Sequence, residues 1–393
     1  MIKVFFIYII LLKKGESLLS ELFSNVSNIT WQQIVMWIIG AVLIYLAIKK
    51  DMEPSLLLPM GFGAILVNLP MSGAVTQIYD GVQEVGVIDV LFNSGIANEL
   101  FPLLLFVGIG AMIDFGPLLS NPKLMIFGAA AQFGIFFTFS LAAAVGFDIK
   151  DAASIGIFGA ADGPTSIFVA NYFNSRYIGA IMVAAYSYMA LVPLVQPPVI
   201  RLLTTKKERR IRMEYTQKSV SKTTKILFPI IITVITGIVS PRSVALIGFL
   251  MFGNLVRECG VLDSLSDTAQ KVLANLITLF LGITIATKMQ AGMFLTGETL
   301  MIISLGLIAF IFDTAGGVVF AKILNLFLKK GKKINPMIGA AGISAFPMSA
   351  RVVHKMGLQE DNQNFLLMHS IGVNVSGQIA SVIAGGMILN LLG

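Results

Sequence analysis

One stretch constrains this chain more than any other. Gly159-Ala-Ala-Asp162-Gly163-Pro164-Thr165-Ser166 interrupts an otherwise apolar run from Ala152 to Phe173. An ionisable group inside an apolar membrane segment is costly and marks an ion pathway by default. Gly-Pro breaks the helix beside it, which is tolerated at membrane depth only where the freed backbone faces protein or a water-filled cavity. Free carbonyls, two hydroxyls and one carboxylate make a hard-oxygen site suited to a small cation. The plainer alternative is a kinked helix whose second half is capped by Asp162.

Composition supports the membrane setting. Hydrophobic residues make up 56% of the chain and charged residues 12%, against about 25% charged in soluble domains. Apolar runs of helical length exclude a β-barrel, whose strands would alternate. The net charge of +7 sits in a few loops and does not point to nucleic acid. The lone Cys259 excludes a disulfide framework or a cysteine metal site, and two histidines are too few for a histidine-rich centre. No nucleotide-binding motif occurs.

The fold class expected is an all-α polytopic membrane protein. Residues 4–12, apolar and followed by Lys13-Lys14, are too short to span and read as an interfacial segment. Spans are expected at Trp31–Ile48, Pro54–Leu69, Ile96–Ile113, Leu124–Val145, Ile178–Leu203, 226–240, 242–256, 272–287, 299–328 and Asn364–Leu392, with a polar, acidic stretch over 70–97. Lys49-Lys50, the basic loop Arg201 to Lys225 and the cluster Lys329 to Lys333 are cytoplasmic by the positive-inside rule. An odd number of apolar segments separates Lys50 from Arg201, so one must enter and leave on the same side. The broken segment 152–173 is the candidate, a re-entrant hairpin from the outside with its tip at Asp162.

A weak internal repeat accompanies this count. Gly159, Pro164 and Ser166 recur at the same spacing as Gly342, Pro347 and Ser349; Phe106-Val-Gly-Ile recurs as Phe280-Leu-Gly-Ile; Pro54 with Gly61-Phe62 recurs as Pro241 with Gly248-Phe249. The parity of crossings makes the halves inverted, as in elevator-type transporters with a site at the repeat interface near the midplane. The expected organisation is an N-terminal segment 1–30, a leading helix 31–50, repeat one over 51–205, a basic loop and linking helix over 206–240, and repeat two over 241–393.

The second broken stretch runs from Asn335 to Arg351, with Ala345 at the position equivalent to Asp162. One formal charge favours a monovalent cation over Ca²⁺ or Mg²⁺. Asn335, Ser344 and Asn374 can add neutral oxygens, although an amide such as Asn374 equally serves helix–helix hydrogen bonding. Tyr188 can donate a proton or simply be a satisfied buried tyrosine. Arg351 is either a snorkelling cation or a fork for a carboxylate. Asp313 is the second intramembrane acid and the rival to Asp162, as a relay or as a packing residue.

These residues resemble the membrane β subunit of the biotin-dependent, sodium-pumping decarboxylases, which serve oxaloacetate, methylmalonyl-CoA, glutaconyl-CoA and malonate decarboxylases. The resemblance covers roughly residues 50 to 390, most specifically Gly156–Phe168, Ala184–Pro198 and Asn335–Arg351. It implies a multi-pass protein of a bacterial or archaeal cell membrane that decarboxylates carboxybiotin, consumes a proton and exports Na⁺. The implied partners are a carboxyltransferase α subunit, a biotin carrier protein, a small membrane γ or δ subunit, and further copies of the chain. It implies Na⁺ ligands at Asp162, Asn335, Gly339, Ser344 and Asn374. Tyr188, with Tyr186 as the alternative, is implied as proton carrier, Ser344 as a participant in the chemistry, and Arg351 as the residue that meets biotin. From the residues alone, a secondary carboxylate transporter and a Na⁺/H⁺ antiporter stay open, because fold does not choose among them.

Overall fold

The computed structural model describes residues 24–79, 81–214, 219–329 and 331–393. The expected interfacial segment 4–12, Asp80 and Lys330 lie outside the described residues. The chain is helical almost throughout: α1 Trp31–Lys50, α2 Pro54–Val67, α3 Leu100–Met112, α4 Pro122–Val145, α5 Ile149–Ile157, α6 Gly163–Tyr172, α7 Ile178–Leu203, α8 Lys222–Val239, α9 Val244–Glu258, α10 Asp263–Met289, α11 Gly297–Phe327, α12 Met348–Glu360 and α13 Leu367–Leu392. Among the described residues, seven of these are long and apolar enough to cross a membrane.

The expected spans recur with local differences. α10 starts at Asp263, well before residue 272, because Thr268–Leu273 continues the helix as a π turn. The span expected from Ile96 bends by 62° between Val87–Ile96 and α3. The polar stretch holds an antiparallel β-hairpin, Gln77–Tyr79 with Val82–Glu84, which its composition did not announce. Helices α2 and α9 stay short at 14 and 15 residues. Burial then sorts the bundle: 67% of the most apolar window of α13 is buried but only 11% of that of α8, so α13 is an inner pillar and α8 a peripheral one. Where α3 crosses α9, Gly110 lies against Leu250 O and Gly253 against Val107 O. Small residues at such a crossing let two backbones touch, the usual source of helix association in lipid.

Two hairpins fill the middle of the bundle. In the first, α5 and α6 leave and return to one place: Ser175 Oγ donates to Asp151 Oδ1 at 2.6 Å, joining the start of α5 to the end of α6. In the second, a 3₁₀ segment Pro336–Gly342 descends and α12 returns. Its two ends meet on Arg209, whose carbonyl accepts from Asn335 Nδ2 at 2.9 Å and Asn364 Nδ2 at 2.8 Å and whose Nε bonds Glu360 Oε1 at 2.6 Å. Beside it, Arg212 forks onto Asp361 at 2.7 and 3.0 Å and holds that carboxyl below its ordinary range.

The first base adjoins Tyr177, just before α7, and the second adjoins Thr204, just after it. Twenty-six helical residues rising about 1.5 Å each separate the two bases by about 39 Å. The two bases therefore lie at opposite ends of α7. The hairpin tips touch: Ser344 N donates to Ala160 O at 2.9 Å.

Candidate cation site at the hairpin tips

Ala161 turns the first tip in the left-handed region, φ 53°, a conformation that costs a residue with a Cβ roughly 1–2 kcal/mol. That turn releases Asp162 from the helix ladder. Asp162 caps α6, with Oδ1 accepting from Thr165 N at 3.1 Å, as the plainer sequence reading held. Its other oxygen does something a cap does not require. Oδ2 accepts from Ser381 Oγ at 2.6 Å and from Ser344 Oγ at 3.0 Å. The two serine hydroxyls lie 3.0 Å apart, and Ser381 Oγ also reaches Gln378 O at 3.1 Å. Among the described residues no basic side chain forms an ion pair with Asp162, which is 2% exposed. A buried carboxylate beside two hydroxyls, without a cationic partner, suits a monovalent cation, which would supply the missing positive charge.

The hydroxyl that faces this carboxylate belongs to Tyr186. Its ring closes over Gly163, where an added Cβ would meet ring carbons at 2.6 Å, and its OH is buried without a hydrogen-bond partner. Tyr186, Asp162, Ser344 and Gln378 line one cavity of about 130 Å³. Tyr188 points elsewhere: it lies between Phe158 and Phe310 and donates to Ile303 O. Of the two tyrosines the sequence offered, the structure brings Tyr186, not Tyr188, to the cavity that Asp162 lines.

Other expected residues separate. Asn335 sits at the base of the second hairpin, fastening Arg209 and Ile211 and capping its own 3₁₀ segment through Met337 N at 3.1 Å. A 3₁₀ path rising about 2 Å per residue puts it well over 10 Å from Ser344. Gly339 is a backbone contact on Gly317 of α11, not a lining residue of the Asp162 cavity. Asn374 holds the tip from one residue away, Nδ2 donating to Ile343 O at 2.7 Å, while its Oδ1 has no partner. Arg351 is exposed on the first turn of α12, near enough to Glu53 for their charges to interact. The rival Asp313 caps the second half of α4 after the break at Gln132, accepting from Ile135 N at 3.1 Å. Ser381 and Gln378 were missed, yet Asn374, Gln378 and Ser381 follow the spacing that places residues on one helix face.

A model of the Na⁺-transporting oxaloacetate decarboxylase β subunit matches residues 32–392. The chain belongs to that family. It is a multi-pass membrane subunit of a sodium-transporting decarboxylase. It is 49% identical to the glutaconyl-CoA decarboxylase β subunit of Acidaminococcus fermentans, over 93% of this chain and 94% of that one. Against the methylmalonyl-CoA decarboxylase β subunit of Veillonella parvula the identity is 49% over 91% and 92%. Against the oxaloacetate decarboxylase β chain of Klebsiella pneumoniae it is 43% over 91% and 94%.

Proposed function

We propose that this β subunit decarboxylates carboxybiotin at its cytoplasmic mouth and couples that reaction to Na⁺ export through Asp162. The observation that carries the reading is the contact of Asp162 Oδ2 with Ser344 and Ser381, a buried carboxylate shared between two opposed hairpin tips and an inner helix. Asp162, Ser344 and Ser381 hold the cation. Asn374 is a positioning residue that fixes the Ile343–Ser344 tip. Arg351 receives the carboxylate of carboxybiotin in a bidentate fork. The N–C bond breaks, CO₂ leaves, and the electron pair left on the ureido nitrogen takes up a proton, for which the Tyr186 hydroxyl is the nearest unpartnered carrier at the site. Cation and proton compete for the same oxygens, so each weakens the other's binding by the same factor.

The opposed hairpins support an inverted arrangement of residues 51–205 and 241–393, with transport by movement of one unit against the other. The working complex contains a carboxyltransferase α subunit, a biotin carrier protein, a small membrane γ or δ subunit and further copies of this chain. The relatives act on oxaloacetate, methylmalonyl-CoA or glutaconyl-CoA by name at similar identity to this chain. That fits a division of labour in which the parent acid is chosen by the soluble subunit. The test is Na⁺ uptake into proteoliposomes holding the purified complex. Uptake driven by the parent acid and stopped by avidin supports the reading; carboxylate or Na⁺/H⁺ exchange that ignores avidin overturns it.

A further inference from the structure

The cavity lined by Asp162 is lined also by Glu53 and Ser55, in the connection that follows Lys49-Lys50 and opens α2. Asn275 and Thr278 of α10, one turn apart, line it too, Asn275 exposed and Thr278 half-buried. Thr278 Oγ1 spends its proton on Ala274 O at 2.7 Å, so the hydroxyl has lone pairs to present. On the outer side the chain from Asp151 to Ala170 is buried without interruption. Among the described residues that line the cavity, Glu53 is the only carboxylate besides Asp162. Its backbone is turned into the left-handed region at φ 38°, and Arg351 stands close enough to act on its charge.

From this we infer that the cavity is the cytoplasmic entry route for the cation, with Glu53 as the entry carboxylate and Asn275 and Thr278 as neutral stations on the way to Asp162. A low-dielectric channel with one sign of charge at its mouth concentrates the opposite ion. Arg351 opposes that field while it is unpaired. A carboxylate bound by Arg351 cancels its charge and leaves Glu53 free to attract a cation, so substrate arrival favours ion entry. The inference rests on the reading of Asp162 as the cation site.

The test uses the whole complex in membrane vesicles of either orientation, on a Cys259→Ala background with Asn275→Cys, and Thr278→Cys as a second reporter. Impermeant methanethiosulfonates, one carrying trimethylammonium and one carrying sulfonate, are followed by the adduct mass on this subunit. Labelling from the cytoplasmic face is expected, with the cationic reagent favoured over the anionic one by roughly fivefold. Glu53→Gln should abolish that preference. Labelling only from the outer face, or an unchanged charge preference in Glu53→Gln, overturns the route. The reading of Asp162 is checked separately, by whether Na⁺ slows labelling. Cytoplasmic, charge-selective labelling that Na⁺ never slows supports the route and removes Asp162 as the cation ligand.

Discussion

Ser344 Oγ stands 3.0 Å from Asp162 Oδ2 although 182 positions of chain separate them. Each occupies the tip of a hairpin whose base lies at its own end of α7, and the tips are stitched by Ser344 N on Ala160 O. Moving one hairpin relative to the other must break the pair of contacts that shields Asp162.

Asp162→Asn keeps the shape and the cap on Thr165 but removes the charge. Na⁺-dependent decarboxylation should fall to background while carboxyl transfer onto the biotin carrier continues. Both activities are measured on the purified complex; Na⁺ pumping at the original rate would move the ion site away from Asp162.

Ser381→Ala deletes the shorter of the two hydroxyl contacts to Asp162 Oδ2. A hydrogen bond to a charged group contributes about 1.5–3 kcal/mol, so the Na⁺ concentration for half-maximal decarboxylation should rise at least roughly tenfold. Titrating Na⁺ at saturating substrate checks this, and an unchanged midpoint would leave Ser381 as packing only.

Tyr186→Phe and Tyr188→Phe should behave differently. Removing the unpartnered Tyr186 hydroxyl should lower the decarboxylation rate and alter its pH profile with little loss of stability. Removing the Tyr188 hydroxyl deletes its bond to Ile303 O, a carbonyl that keeps its place in the α11 ladder, and should cost about 0.5–1.5 kcal/mol of stability. Rate against pH and thermal unfolding in detergent separate the two; the reverse pattern would restore Tyr188 to the site.

Arg351→Lys replaces a planar fork by a point charge. The apparent KM for the carboxybiotin carrier should rise, or its turnover fall, more than the Na⁺ midpoint shifts. Varying carrier and Na⁺ independently distinguishes a carboxylate clamp from a residue of the ion path.

Arg209→Ala cuts the pair that ties Glu360 to the base of the second hairpin, whose side chains are 8% and 18% exposed. Breaking a buried pair costs about 3–5 kcal/mol. A clear drop in melting temperature is expected in detergent, although Arg209 touches none of the tip residues.

Much of this protein was legible along the chain because the bilayer admits so few backbone solutions. Apolar runs fixed most spans to within a few residues, and Gly163-Pro164 beside Asp162 fixed where a helix had to break. The β-hairpin at Gln77–Glu84 and the early start of α10 escaped, since short polar strands and a π turn leave no periodic apolar signal.

The sequence by itself therefore determined the class of fold, the broken segments and the central carboxylate. Tertiary structure decided which side chains share its space. Tyr186 and Tyr188 differ by two positions, about 200° around a helix of 3.6 residues per turn. Both faces of α7 are buried there, so no polar–apolar pattern says which one meets Asp162. Asn335 and Ser344 likewise look like equivalent oxygen donors in one polar stretch, but a hairpin has a base and a tip. Only the docking of Asn335 on Arg209 and of Ser344 on Asp162 shows which is which. The physical reason is common to both: rotation of a helix and the pairing of segments distant in the chain are set by packing among many elements, and no local spacing encodes them.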